Sequence, residues 1–155
     1  MKLYILGIRH HGPGSSAHLL AALEEKKPDL ILMDIMLNGN ITGIEAAKAI
    51  KREMDLPVIY LTAYTDEKTI ENAKLTDPFG YVLKPFDERT LHFSIETALY
   101  KHKTNLKLKE SEARYRTLVE MSPIAICIYS NAQIAYANSA AIRLFGAPSE
   151  KELIG

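Results

Sequence analysis

One cysteine, Cys127, in 155 residues leaves the chain no internal disulfide framework. It sits in the apolar stretch AICIY and reads as an inert core thiol. Long apolar runs are missing as well: nowhere do the roughly 18 consecutive apolar residues of a membrane-spanning helix occur. No segment has the make-up of a secretory signal peptide, so the expectation is a cytoplasmic protein without membrane contact. Neither sign of charge is in excess, 19 basic against 19 acidic residues, which removes the electrostatic case for binding nucleic acid or an anionic lipid surface. A chain of this length can bury one good core plus a smaller fragment. Glycine and proline are both absent from Asp87 to Met121, and that stretch reads as one uninterrupted helix.

What is present is a set of short apolar strands, each closed by a reactive group. LILMDIML, residues 30–37, carries a single acid, Asp34; LTA at 61–63 supplies Thr62 and KPF at 84–86 supplies Lys84. In an open parallel sheet every strand needs a return helix, so all strand ends of one polarity share one edge, where ligand chemistry collects. Asp34 then offers an anionic oxygen nucleophile, Thr62 a hydroxyl for a phosphoryl oxygen, and Lys84 a point charge for the same group. Taken singly, a strand-end Asp is more often a turn or helix cap.

The ordered set resembles the receiver domain of two-component response regulators over residues 28 to about 103. PDLILMDIML is similar to the strand bearing that family's phosphoacceptor, TGIEAAKAI to the helix after it, PVIYLTAY to the strand with the hydroxyl, and FGYVLKPF to the last strand. The resemblance implies an α/β, flavodoxin-like fold, Asp34 as phosphoacceptor, Thr62 and Lys84 reading the phosphoryl group, and Tyr81 as the switch aromatic. It also implies a cis Lys84-Pro85 bond.

Two things the family has are not here. Before the Asp34 strand there is one strand, MKLYILGI, and one helix, SSAHLLAALEEKK, where the family has two of each; Ala17, Leu20 and Leu23 mark the expected apolar face of that helix. Nor do paired acids follow the first strand; Arg9, His10 and His11 stand there instead. In the family those acids join the phosphoacceptor and one backbone carbonyl around Mg²⁺, a cation that demands hard oxygen ligands. The metal set left to this chain is Asp34 and the Met36 carbonyl, a weakened Mg²⁺ site. Imidazoles suit Zn²⁺, Cu²⁺ or Ni²⁺ better, so a metal site of His10 or His11 with Asp34 is one alternative and solvated loop histidines another. The glycine-rich loop GIRHHGPGSS is also a generic anion cradle ahead of a helix, though Pro13 stands where a Walker lysine would follow Gly12. Residues 1–22, with their strand and GIRHHGPGS loop, resemble the start of an uncharacterised bacterial family, which would put a junction between Ala22 and Pro28.

Handedness sharpens the fold. A direct passage from strand 3–8 through helix 15–26 into strand 29–34 is a right-handed crossover, which sets that helix on the same sheet face as helices 43–54 and 66–75. The helix beginning at Asp87 is then left alone on the opposite face, flanked by exposed apolar sheet. Leu99, Leu106 and Ala113 fall seven apart along its continuation, as do Leu108 and Tyr115, too short a repeat for a coiled coil. Residues 111–155 resemble the start of a PAS sensor domain: an opening helix and strand in SEARYRTLVEMSPIAICIYS, a second strand in AQIAYAN, and helices in SAAIRLFGAPSEKELIG.

The expected organisation is a receiver-like domain at 1–103 with a shortened sheet of about four strands and an atypical β-α unit at 1–27, a helical linker at 104–121, and an incomplete α+β PAS segment at 122–155 with no assignable ligand. The expected role is phosphoryl acceptance from a histidine kinase or phosphotransfer protein, with no kinase catalytic region in the chain. A degenerate receiver that only binds partners, or an anion- or metal-binding fold built on the His10-His11 loop, are the alternatives. A second copy of the chain, paired through the long helix or the exposed sheet face, is a further expected partner; nucleic acid and membrane are not.

Overall fold

The structure, a computed structural model, describes residues 1–6, 16–37, 41–63, 67–149 and 152–153. It divides into two compact units, Met1–Thr104 and Asn105–Gly155. The first alternates strands and helices: β1 (Leu3–Leu6), α1 (Ser16–Lys26), β2 (Leu30–Asp34), α2 (Gly43–Glu53), β3 (Val58–Thr62), α3 (Glu67–Lys74), β4 (Gly80–Leu83), then α4 (Glu88–Met121), which runs on into the second unit. The strands form one parallel sheet in the order β1-β2-β3-β4. This is the flavodoxin-like receiver fold with the shortened sheet that the missing β-α unit implies. Every residue of β2 and β3 is buried, and strands covered on both faces read as continuous apolar runs such as LILM and VIYL.

Two apolar clusters define the faces. Leu19 and Leu23 of α1, Ala46, Ala47 and Ile50 of α2, and Ala73 of α3 pack on Ile31, Met33, Val58 and Tyr60. Ile95 and Ala98 of α4, with Leu91 and Leu99 at their sides, pack on Leu30, Leu32, Ile59, Leu61 and Val82. Three helices therefore share one face and α4 has the other, as the right-handed crossover requires. The exposed sheet surface beside α4 is smaller than expected: β2, β3 and Val82 are covered, and among the described residues Ile5 on the outer strand β1, 57% exposed, is what remains. Spacing explains the cover, since 91, 95, 98 and 99 line one side of a helix. Farther along α4, His102 meets the Phe79 ring edge-on at 5.4 Å and lies 3.9 Å from Asp55, while Lys101 Nζ sits over the Phe79 ring, 5.8 Å from its centroid.

The buried face of α1 differs from the expected one. Leu19 and Leu23, one turn apart, are buried, Leu20 is half-buried and Ala17 is exposed. In AHLLAAL, residues 17–23, several apolar faces compete, and the larger side chains take the core because burial scales with apolar area.

Helix α2 begins in a capping box: Thr42 Oγ1 accepts the Glu45 amide at 3.2 Å and the Glu45 carboxylate accepts the Thr42 amide at 2.8 Å. That hydrogen bonding, the backbone bond first, holds the Glu45 carboxyl below its usual range. The next residue, Gly43, is pressed against the end of β2; an added Cβ would lie 2.0 Å from the Asp34 carbonyl oxygen.

In the second unit, β5 (Cys127–Ser130) and β6 (Gln133–Ala137) form an antiparallel pair closed by Asn131 and Ala132, at φ 51° and 64°. These are the two left-handed positions a tight hairpin turn needs. Helix α5 (Ser139–Phe145) follows, its N-cap Asn138 fully buried. The Asn138 amide donates to Val119 and Ile124 carbonyls, both at 2.9 Å, and its oxygen accepts from the Ile126 and Ala141 amides at 3.0 and 2.9 Å. Beside it the Glu120 carboxylate accepts from the Tyr136 hydroxyl and from the Ser139 amide and hydroxyl. Cys127 corrects an expectation: it lies in β5 as read, but every residue of that strand is exposed. No described helix is long and apolar enough to cross a membrane.

Replacing Gly43 by Ala should destabilise the chain by about 3 kcal/mol, overriding the roughly 1 kcal/mol by which Ala normally improves a helix. Urea unfolding measures it, and a gain in midpoint would refute the close approach. A second outcome concerns Glu120, whose carboxyl is held below its ordinary 4.5 by the Tyr136 hydroxyl first and Ser139 next. A depressed carboxyl stabilises the fold above its unfolded value and stops doing so as pH falls through the folded one. The Tyr136 ring signal in NMR should therefore shift with a midpoint below 4.5, and Glu120→Gln should abolish the transition.

Candidate functional site

The carboxyl ends of β2, β3 and β4 lie along one edge of the sheet. Asp34 closes β2 opposite Leu61, and Thr62 closes β3 opposite Leu83. The Lys84 amide donates to the Thr62 carbonyl at 2.7 Å, extending the ladder one residue beyond β4 and fixing where the lysine departs. The Lys84-Pro85 bond is cis, as expected.

Asp34 and Lys84 meet. Lys84 Nζ lies 2.5 Å from Asp34 Oδ2, both side chains largely withdrawn from water, and the Met36 amide donates to Asp34 Oδ1 at 3.2 Å. Thr62 is buried on the same edge, but its hydroxyl donates to the Ala63 carbonyl at 2.9 Å. To hydrogen-bond a group on Asp34, that hydroxyl must turn. Tyr81 is not at the edge: it stands on β4, 39% exposed, with its ring stacked on Tyr60 at 5.8 Å. Burial pushes its phenol above the ordinary value, and pushes that of the deeper Tyr60 up to about 12.

Receiver domains generally bind Mg²⁺ at this position, and the donor set can be tested against that ion. Both Asp34 oxygens already carry a hydrogen bond, one from an ammonium group. Among the described residues no group of three or more His, Cys, Asp or Glu side chains could hold a metal. The sequence from Gly7 to Ser15 contains no acid. One carboxylate and one backbone carbonyl make a sparse donor set for Mg²⁺, an octahedral cation usually held by one or two carboxylates together with waters and phosphate oxygens. Arg9, His10 and His11, with the glycine-rich loop, lie outside the described residues.

Sequence reading passed over two contributors to this region. Gly43 lets α2 start directly on the Asp34 backbone, and its amide donates to the Ile35 carbonyl at 3.1 Å; a glycine beside a capping box was the available signal. Tyr60 on β3, hydrogen-bonded to Thr76 at 3.0 Å, had no signal, since an apolar strand admits a tyrosine without announcing its partner.

Comparison with known proteins agrees with this fold. The response regulator receiver domain matches residues 6–96, more than half of the chain, and a PAS domain matches 113–155. The chain belongs to the response regulator receiver family, with PAS sequence following. The receiver match starts at the end of β1 and spans the junction expected between Ala22 and Pro28. Heme response regulator HssR of Staphylococcus saprophyticus is 36% identical over 92 residues, 59% of this chain and 41% of that protein. DNA-binding response regulator MtrA of Mycolicibacterium smegmatis is 36% identical over 80 residues, 52% of this chain and 34% of that protein. The chain thus spans well under half the length of either relative. Among solved structures, the signal receiver domain of a modulated diguanylate cyclase from Desulfovibrio desulfuricans G20 is similar with a TM-score of 0.55 and 37% identity, over 59% of this chain and 73% of that one. That structure is reported as an example of alternate folding. NtrX from Brucella abortus has a TM-score of 0.55 at 27% identity, over 76% of this chain and 25% of its own.

With Lys84 closed on Asp34, each single replacement, Asp34→Asn or Lys84→Met, should destabilise the receiver unit by about 1–3 kcal/mol, because the remaining partner keeps a poorly solvated group without its counterpart. The double variant should recover part of that loss. A double-mutant cycle in urea measures the coupling, and simple additivity would show that the pair contributes nothing.

Proposed function

We propose that the receiver unit accepts a phosphoryl group on Asp34 from a phosphohistidine in a histidine kinase or phosphotransfer protein. The observation that supports it is the contact of Lys84 with Asp34 at the strand edge that Thr62 also occupies. An Asp34 carboxylate oxygen attacks phosphorus in line, an acyl phosphate forms, the phosphorus–nitrogen bond breaks, and the imidazole leaves with its electron pair and takes up a proton. Lys84 moves from the carboxylate to the incoming phosphoryl oxygens. Thr62 turns its hydroxyl from Ala63 to another of them, and Tyr81 follows that movement. We further read 1–103 as the receiver domain, 104–121 as a helical linker and 122–155 as PAS sequence, to which no ligand is assigned. The balanced charge, 19 against 19, gives no reason to add nucleic acid to the partners. A second copy of the chain, through the long helix, remains a partner of this reading: Leu108, Tyr115 and Leu118 are exposed along it.

In this reading the acceptor is placed but weakened. Without paired acids, the charge of the transferring group is met by the Lys84 ammonium and backbone dipoles, and added Mg²⁺ does little. The second reading, a degenerate receiver that only docks partners, is favoured by the same poor donor set.

Acetyl phosphate and intact-mass measurement separate the two. Slow addition of one phosphoryl group, lost in Asp34→Asn and changed little by Mg²⁺, is the expected result. Stable, near-complete modification of Asp34 at low millimolar Mg²⁺ would overturn the weakened site. No modification by acetyl phosphate or a phosphohistidine donor, with partner binding retained, would establish the docking role instead.

A further inference from the structure

Tyr60 is the bulkiest of the fully buried side chains, yet it ends in a hydroxyl. That hydroxyl lies 3.0 Å from Thr76 Oγ1, which is itself buried and donates its own hydrogen to the Ala73 carbonyl at 2.7 Å. Tyr60 is therefore the donor and Thr76 the acceptor, in a chain that ends on the last turn of α3. Across the sheet, Tyr81 is the direct register partner of Tyr60, and the two rings stack at 5.8 Å with their planes 29° apart. Since β4 is an outer strand, Tyr81 has the Tyr60 ring on its core side and solvent on the other. An aliphatic residue in β3 would be compressible and could change rotamer. A phenol anchored at its far end cannot move without leaving a buried hydroxyl unsatisfied.

We propose that Tyr60 is a positioning residue for Tyr81: tied through Thr76 to the end of α3, its ring closes the core side of Tyr81 and keeps that side chain at the surface. Tyr81 turns inward only when the Tyr60–Thr76 hydrogen bond opens, so the end of α3 and the ring of Tyr81 change state together. The inference rests on the proposed role of Tyr81 as the group that follows phosphorylation.

The test is ¹⁹F NMR of the full chain carrying 3-fluorotyrosine, with the Tyr81 signal assigned through Tyr81→Phe. The wild type should give one dominant environment for Tyr81. Tyr60→Phe and Thr76→Val remove the anchor and should raise the population of a second environment roughly five-fold, the ratio that one hydrogen bond of ordinary net strength controls. Tyr60→Leu, which also opens space, should raise it further, and Thr76→Ser, which keeps the hydroxyl, should restore the wild-type signal. Ile50→Val in the same core serves as control for simple loosening and should leave Tyr81 unchanged. A Tyr81 signal indifferent to all the Tyr60 and Thr76 variants, or one displaced equally by Ile50→Val, overturns the proposal. Acetyl phosphate incorporation at Asp34 is scored separately: a responsive Tyr81 without incorporation supports the anchor and defeats the acceptor reading, whereas incorporation with an unresponsive Tyr81 overturns the anchor alone.

Discussion

The fixed hand of the parallel crossover governs this molecule. With β1 joined to β2 through a single helix, α1 has only one face available to it, and that face already holds α2 and α3. The opposite face falls to α4 alone. Everything else in the receiver unit follows from that three-to-one division: the four apolar contacts at 91, 95, 98 and 99 that must cover the whole second face, the burial of both sides of β2 and β3, and the position of β1 outside the Asp34 strand.

The edge chemistry depends on that sheet but not on its lost unit. Asp34, Thr62 and Lys84 come from β2, β3 and the end of β4, whose mutual register is intact. What the shortened N-terminal part takes away is negative charge beside Asp34. The carboxylate is left facing a cation and a backbone amide, a balanced local arrangement in which a further positive ion has little to gain. Placement and charge, which act together in a metal-assisted phosphoryl acceptor, are here separated into one that is kept and one that is reduced.

Much of this was legible in sequence because the signals were redundant. The buried strands LILMD and VIYLT read as apolar runs, and the single β1-α1-β2 connection implies its own handedness. The long helix followed from the absence of glycine and proline over 87–121. Where the reading failed, the sequence offered equivalent choices: AHLLAAL allows several buried faces, and only packing against α2 selects Leu19 and Leu23. Cys127 looked internal because a strand pattern does not say whether anything lies against it. The Tyr60–Thr76 bond joins residues 16 apart through tertiary packing, which leaves no periodic trace.

The outer position of β1 changes how the receiver unit can come apart. A strand hydrogen-bonded on both sides leaves a sheet only by opening two ladders, whereas β1 is bonded to β2 alone. It can fray and return while β2, β3 and β4 stay paired, so slow hydrogen exchange would be confined to the strands that carry Asp34 and Thr62. The most persistent part of the domain is then the inner pair of strands that ends in Asp34 and Thr62, and the region that differs most from the family is the part whose loss disturbs that pair least.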